Sequence, residues 1–178
     1  QLATQYRVWT REEARRTRSF WALLIGFALA LATQTGVLIH QLSFLQEPDK
    51  LGSRSAAALA VTVTTIGSII ARLVVGQLIA DKADKRVMTV VLFLGQAAAV
   101  LLYTVVSGTV AVYTVALLFG FTIGNVYMMM SLLTAELFGI LSFGTVYGVV
   151  SLAGQLGSGA GLVFMGWAHD VAGSYTVP

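Results

Sequence analysis

The sequence predicts an all-α protein, a polytopic membrane helix bundle with five transmembrane helices. Hydrophobic residues make up 57% of its 178 residues and charged residues only 11%, less than half the charged share of ordinary soluble domains. The mean hydropathy is +0.81. The apolar residues gather into five runs, at about 20–45, 56–80, 87–106, 109–133 and 143–168. Each is near or above the ~20 residues that cross a bilayer as a helix.

Residues 1–18 are polar and read as a cytoplasmic juxtamembrane segment. Within it Thr10-Arg11-Glu12-Glu13 has the pattern of a capping box, so a short helix over EEARRTR is expected to feed the first span. The breaks between runs are QEPDKLGSRS, DKADKR, Ser107-Gly108 and the amphipathic AELFGILS. Ser107-Gly108 is so short that the third and fourth spans must form an antiparallel hairpin. With the N-terminus inside, the inner segments hold eight cations, Arg7, Arg11, Arg15, Arg16, Arg18, Lys82, Lys85 and Arg86, and the outer ones two, Lys50 and Arg54. That asymmetry follows the positive-inside rule and puts the C-terminus outside. Residues 19–178 are then one half-bundle. Its odd span count, with Pro178 where another helix could begin, is what a six-helix block truncated before its last span would show.

The second run carries the most costly residue. Arg72 stands eight residues before Ala80, about 12 Å from the inner end at ~1.5 Å per residue. A cation at that depth costs roughly 3 kcal/mol on insertion scales, so it is expected to face a partner, a cavity or a ligand. An anion is the natural ligand; the other reading is a structural arginine capping a neighbouring helix's carbonyls. Thr65, Ser68, Arg72 and Gly76 share its face at helical spacing.

The fifth run repeats the pattern. Tyr147, Ser151, Gln155 and Ser158 share a face that could line a pathway, while Gly144, Gly148, Gly154, Gly157, Gly159, Gly161 and Gly166 permit close helix approach. The fourth run has a small-xxx-small pair, Gly120 and Gly124, then Asn125, which must hydrogen-bond within the bundle or to substrate. Met128, Met129 and Met130 read as flexible packing. In the first run Thr33 and His40 share one face, with Gln34 and Gln41 on the next. His40, near the outer end, is a candidate for gating or proton linkage, or for a bond to a loop. His169 beside Asp170 reads as a helix-end contact. The cluster from Asp81 to Arg86 is either a solvated loop or a latch, with Asp81 on a helix N-terminus and Arg86 on carbonyls or acids.

Whole classes of function fall away. No cysteine is present, which excludes disulfides, thiol catalysis and cysteine metal sites. The spans hold neither a buried acid nor a close histidine pair, so no acid–base set, metal site or cofactor is expected, and no enzyme. A net charge of +3, located at span ends, does not suggest nucleic acid. What remains is secondary transport of a small organic anion by alternating access, or a transporter-like sensor without transport.

Several stretches, in order from about Arg11 to Tyr175, resemble one family. ARRTRSFW is similar to the entry into the seventh helix of a major facilitator superfamily transporter of the monocarboxylate/oxalate–formate branch, and His40 matches a histidine near that helix's outer end in bacterial members. ARLVVGQLIADKADKR resembles the eighth helix and its loop, with Arg72, Gly76 and Asp81 on the pattern. AELFGILSFGTVYG is similar to the loop into the eleventh helix, and GWAHDVAGSY to the exit before the twelfth. The resemblance implies the C-terminal six of twelve helices, with a substrate cavity between two halves. It implies that Arg72 anchors a substrate carboxylate; Ser68, Asn125, Tyr147, Ser151 and Gln155, from their places on the helix faces, are further candidate substrate contacts. It also implies that Asp81 and Arg86 form a loop latch against the missing N-terminal half. At three positions the chain departs from the pattern. A lysine of oxalate-type members falls at Val150, an aspartate of animal-type members at Ser68, and a loop glycine at Asp84. One cation instead of two favours a monocarboxylate over a dianion, and so over a dicarboxylate/formate-type antiporter.

Overall fold

Local caps set the helix starts. The structure is a computed structural model that describes residues 8–76 and 84–172. Thr10 Oγ1 accepts the Glu13 N–H at 3.3 Å and the Glu13 carboxylate accepts the Thr10 N–H at 2.9 Å, so the capping box forms and starts α1, Arg11–Arg15. Thr17 Oγ1 accepts the Phe20 N–H and opens α2, Arg18–Leu45. α3 spans Arg54–Val74. Asp84 starts α4, Lys85–Val105, by accepting the Arg86 and Val87 N–H groups at 2.8 and 3.4 Å. The residue that replaces a loop glycine is therefore a helix N-cap, a role for which aspartate is favoured and glycine is weaker. Gly108, at φ +90°, turns the chain into α5, Thr109–Ile123. α6 spans Val126–Phe138, a 3-10 turn Ile140–Ser142, and α7 Phe143–Ala172.

Two boundaries differ from expectation. The helix expected to end near residue 133 runs on to Phe138, where Gly139 at φ +73° stops it, so the amphipathic AELF is helix and not loop. More consequentially, the fourth span is two helices, broken at Gly124-Asn125. Counted across that break, five segments are long and apolar enough to cross a membrane, and all of the described secondary structure is helical.

Small residues decide which helices pair. α2 packs along α7 and α3 along α5, with α4 beside α5 and the lower part of α6 closing the bundle. In the first pair Gly157 faces the backbone of Ala28 and Gly161 that of Ala32; in the second Gly120 faces Thr64 and Gly124 faces Ser68. A Cβ at any of these four glycines would collide with main-chain atoms, so the helix backbones are in direct contact, as small residues allow in lipid. Phe27, Leu31, Met129, Met130, Val146 and Val150 fill one half of the interior, and Leu45, Val112, Ala116 and Phe119 fill the other. The opposite faces carry bare apolar side chains such as Leu94, Leu101 and Val110, as expected where hydrocarbon is the solvent.

Replacing Gly120 by leucine should lower thermal stability in detergent by about 1–3 kcal/mol or more, because the clash is with backbone that cannot yield. Gly144→Ala, at a glycine with no atom within 4 Å of its would-be Cβ, should leave the melting curve unchanged.

Candidate functional site

The break in the fourth span organises the polar groups around Arg72. Where α5 stops, the Gly124 N–H still reaches the Gly120 carbonyl at 3.1 Å and the Asn125 N–H reaches Thr122 at 3.4 Å. Regular α-helical pairing then lapses until the Met129 N–H meets the Asn125 carbonyl at 2.9 Å. Side chains fill part of the gap. Asn125 Nδ2 donates to the Phe121 carbonyl at 3.3 Å, and Arg72 Nε donates to the Gly124 carbonyl at 2.9 Å. An unmet carbonyl in a membrane interior costs several kcal/mol, so the arginine answers a need created by the break. Its positive charge also meets the negative end of the α5 dipole.

That bond engages only one edge of the guanidinium. Arg72 remains exposed at the protein surface of this half, and among the described residues no acceptor is bonded to its two terminal nitrogens. Those two N–H groups form the planar fork that pairs end-on with a carboxylate. The α6 N-terminus begins two residues past the carbonyl that Arg72 holds, and a helix N-terminus inside a broken span favours an anion. Asn125 is wholly buried, and its carboxamide oxygen has no partner among the described residues. Both sequence readings of Arg72 thus apply to different edges of one side chain: Nε caps a neighbouring carbonyl, and the outer fork is open to an anion.

The candidate residues are not all brought together. Ser68 is buried against Gly124 and, with Arg72 and Asn125, belongs to the α3–α5–α6 junction. Thr65 is exposed and bonds back to the Val61 carbonyl at 3.0 Å. Tyr147, stacked on Phe143 at 4.8 Å, Ser151 and the exposed Gln155 lie on α7, which pairs with α2 and not with α3. Val150, where a second cation would fall, is fully buried in the core. His40 is half-buried in α2, its imidazole against Gly166 of α7. Arg86 is exposed in the first turn of α4. Asp81, the other residue of the expected latch, lies outside the described residues. His169 Nδ1 is 3.5 Å from Asp170 at the exposed end of α7, a contact between neighbours on one helix.

Two polar assemblies escaped the sequence reading. Gln41 Nε2 donates to Thr64 Oγ1 at 2.9 Å and to the Tyr103 hydroxyl at 2.7 Å, tying α2, α3 and α4 together near the C-terminal end of α2. Lys50 is buried, and its Nζ donates to the carbonyls of Tyr103, Thr104 and Val106 at 3.0, 3.0 and 3.1 Å, over the Phe44 ring at 5.1 Å. The only hint of either was a glutamine near the end of an apolar run and a lysine in the loop that follows it.

A family model described as Major Facilitator Superfamily matches residues 3–162. No curated protein matches the chain.

Arg72→Ala should cost about 1–2 kcal/mol of stability, the usual worth of a hydrogen bond from a charged group with allowance for its partial exposure. Arg72→Lys should recover little of this, since an ammonium has no edge that caps Gly124 while presenting a fork outward. Thermal unfolding in detergent, with matched expression of both variants, measures the difference.

Proposed function

The chain belongs to the Major Facilitator Superfamily, a superfamily of membrane transporters, and from that premise we propose that it serves secondary transport of a small organic anion, a monocarboxylate by preference. The reading is supported by Arg72: it is a single guanidinium at membrane depth whose inner edge is held at Gly124 and whose outer fork is open. Bidentate pairing of that fork with a carboxylate matches both geometry and charge. A second cation is missing at the one place where the family pattern offers it, Val150, and this favours a monoanion over the dianion that a dicarboxylate/formate-type antiporter would carry. Membership in the monocarboxylate/oxalate–formate branch is part of the same proposal.

On this reading Ser68 and Asn125 shape the floor beneath the anion, and Tyr147, Ser151 and Gln155 line the pathway from the α7 side. The cavity is completed by the N-terminal half of the same polypeptide. The chain lies in the plasma (bacterial inner) membrane with residues 1–18 cytoplasmic. His40 then stands near the outer mouth, while Asp81 and Arg86 act at the inner mouth as a latch that breaks and remakes as the halves rock. The anion drives no covalent chemistry; it shifts the population between inward- and outward-facing states by binding them unequally.

Counterflow of labelled monocarboxylates into proteoliposomes containing the full-length protein tests the assignment. Arg72→Gln should lower uptake by about tenfold or more, as expected for loss of a charge-assisted pair, while the protein remains monodisperse. Undiminished uptake by that variant would end the anchor role. Binding of a carboxylate without any counterflow by the unmodified protein would support a sensor instead.

A further inference from the structure

The juxtamembrane helix does more than lead into the first span. Its capping box fixes α1, and two contacts hold the segment over the far end of the bundle. The Trp9 N–H donates to Ser142 Oγ at 2.6 Å, and the Trp9 ring meets Phe138 edge-on at 5.5 Å. Arg11 and Arg15 are one helical turn apart, so their side chains emerge on one face. Between that face and the start of α7 lies a largely enclosed cavity of about 130 Å³, lined by Arg11, Ala14, Arg15, Phe20, Thr145, Val146 and Val149.

The lining is mixed in chemistry. It combines two arginines and a threonine, Arg11, Arg15 and Thr145, with the apolar Ala14, Phe20, Val146 and Val149. Among the described residues neither arginine has an ion-pair partner, and Glu13, the nearest acid in α1's capping box, is bonded to Thr10. Thr145 and Val146 sit in the first turn of α7, where the helix dipole adds positive potential. The level of the cavity is marked by Trp21, half exposed, whose Nε1–H donates to the Arg15 carbonyl at 2.9 Å. A tryptophan with its polar edge bonded and its ring bare is characteristic of the membrane–water interface.

We infer that this cavity is a binding site for a phosphate group, with the chemistry of an anionic phospholipid headgroup: the phosphate between Arg11 and Arg15, and the start of the acyl chain along Phe20, Val146 and Val149. Arg16 and Arg18 are equally basic but do not line the cavity. A diffuse surface charge would use all four arginines alike, whereas a site uses two.

Native mass spectrometry of the full-length protein in mixed micelles of phosphatidylglycerol and phosphatidylcholine tests the site. The unmodified protein should retain phosphatidylglycerol preferentially. Arg11→Gln with Arg15→Gln should weaken that retention about tenfold or more, given ~1 kcal/mol per basic residue near a membrane surface. Arg16→Gln with Arg18→Gln should leave it within about twofold. Thr145→Trp keeps every charge and fills the cavity, and should weaken retention as much as the first pair. Displacement of the lipid by millimolar inorganic phosphate would identify a site that takes the phosphate group alone, while resistance to it would identify a site that also needs the chain. Equal retention of the two lipids, or equal losses in the two arginine pairs, would overturn the assignment.

Discussion

A carbonyl with no donor behind it is the constraint around which this helix bundle is arranged. In water the break at Gly124-Asn125 would be of small consequence, because solvent would cap both ends. In hydrocarbon it leaves an acceptor stranded, and a donor must come from another helix. The Nε–H of Arg72 is that donor, and only a close α3–α5 approach lets it arrive. Gly120 and Gly124 provide the approach by letting the α3 backbone rest on the α5 backbone. The break, the two glycines and the arginine therefore form one unit, in which each answers a demand that the others make.

The same unit gives the site its direction. A guanidinium is rigid and planar, so fixing one edge fixes where the opposite edge points. Holding Nε at Gly124 leaves the outer nitrogens without a carboxylate partner among the described residues. An internal acid would have neutralised the charge. A carbonyl leaves it largely intact.

Much of this architecture is legible in the sequence because lipid imposes its demands locally. About twenty apolar residues per crossing, a Thr-x-x-Glu cap at Thr10 and glycines four apart at 120 and 124 are all short-range patterns, and each corresponds to a feature of the structure. The features that could not be read are long-range. Arg72 finds its acceptor 52 positions away, and Lys50 finds its acceptors 53 to 56 positions away, distances over which no periodicity carries information. The break in the fourth span was hidden for a different reason. Thr-Ile-Gly-Asn-Val is apolar enough to continue a helix, and Asn125 conceals the lost backbone bond by offering its own side chain to Phe121. Candidate residues on α7 share a helical face with one another, but a shared face does not say which helix that face will meet.

Lys50 carries a consequence for how the chain is held across the bilayer. Its ammonium is sheathed by three peptide oxygens and an aromatic ring, so it behaves electrically as a plug for the dipole of α4 and hardly as a free charge in the loop between α2 and α3. A tally of basic residues therefore overstates what that loop contributes to orienting the chain across the bilayer. The same sheathing makes this lysine a poor handle for amine-directed labelling from solvent, although its position in the chain advertises it as an accessible one.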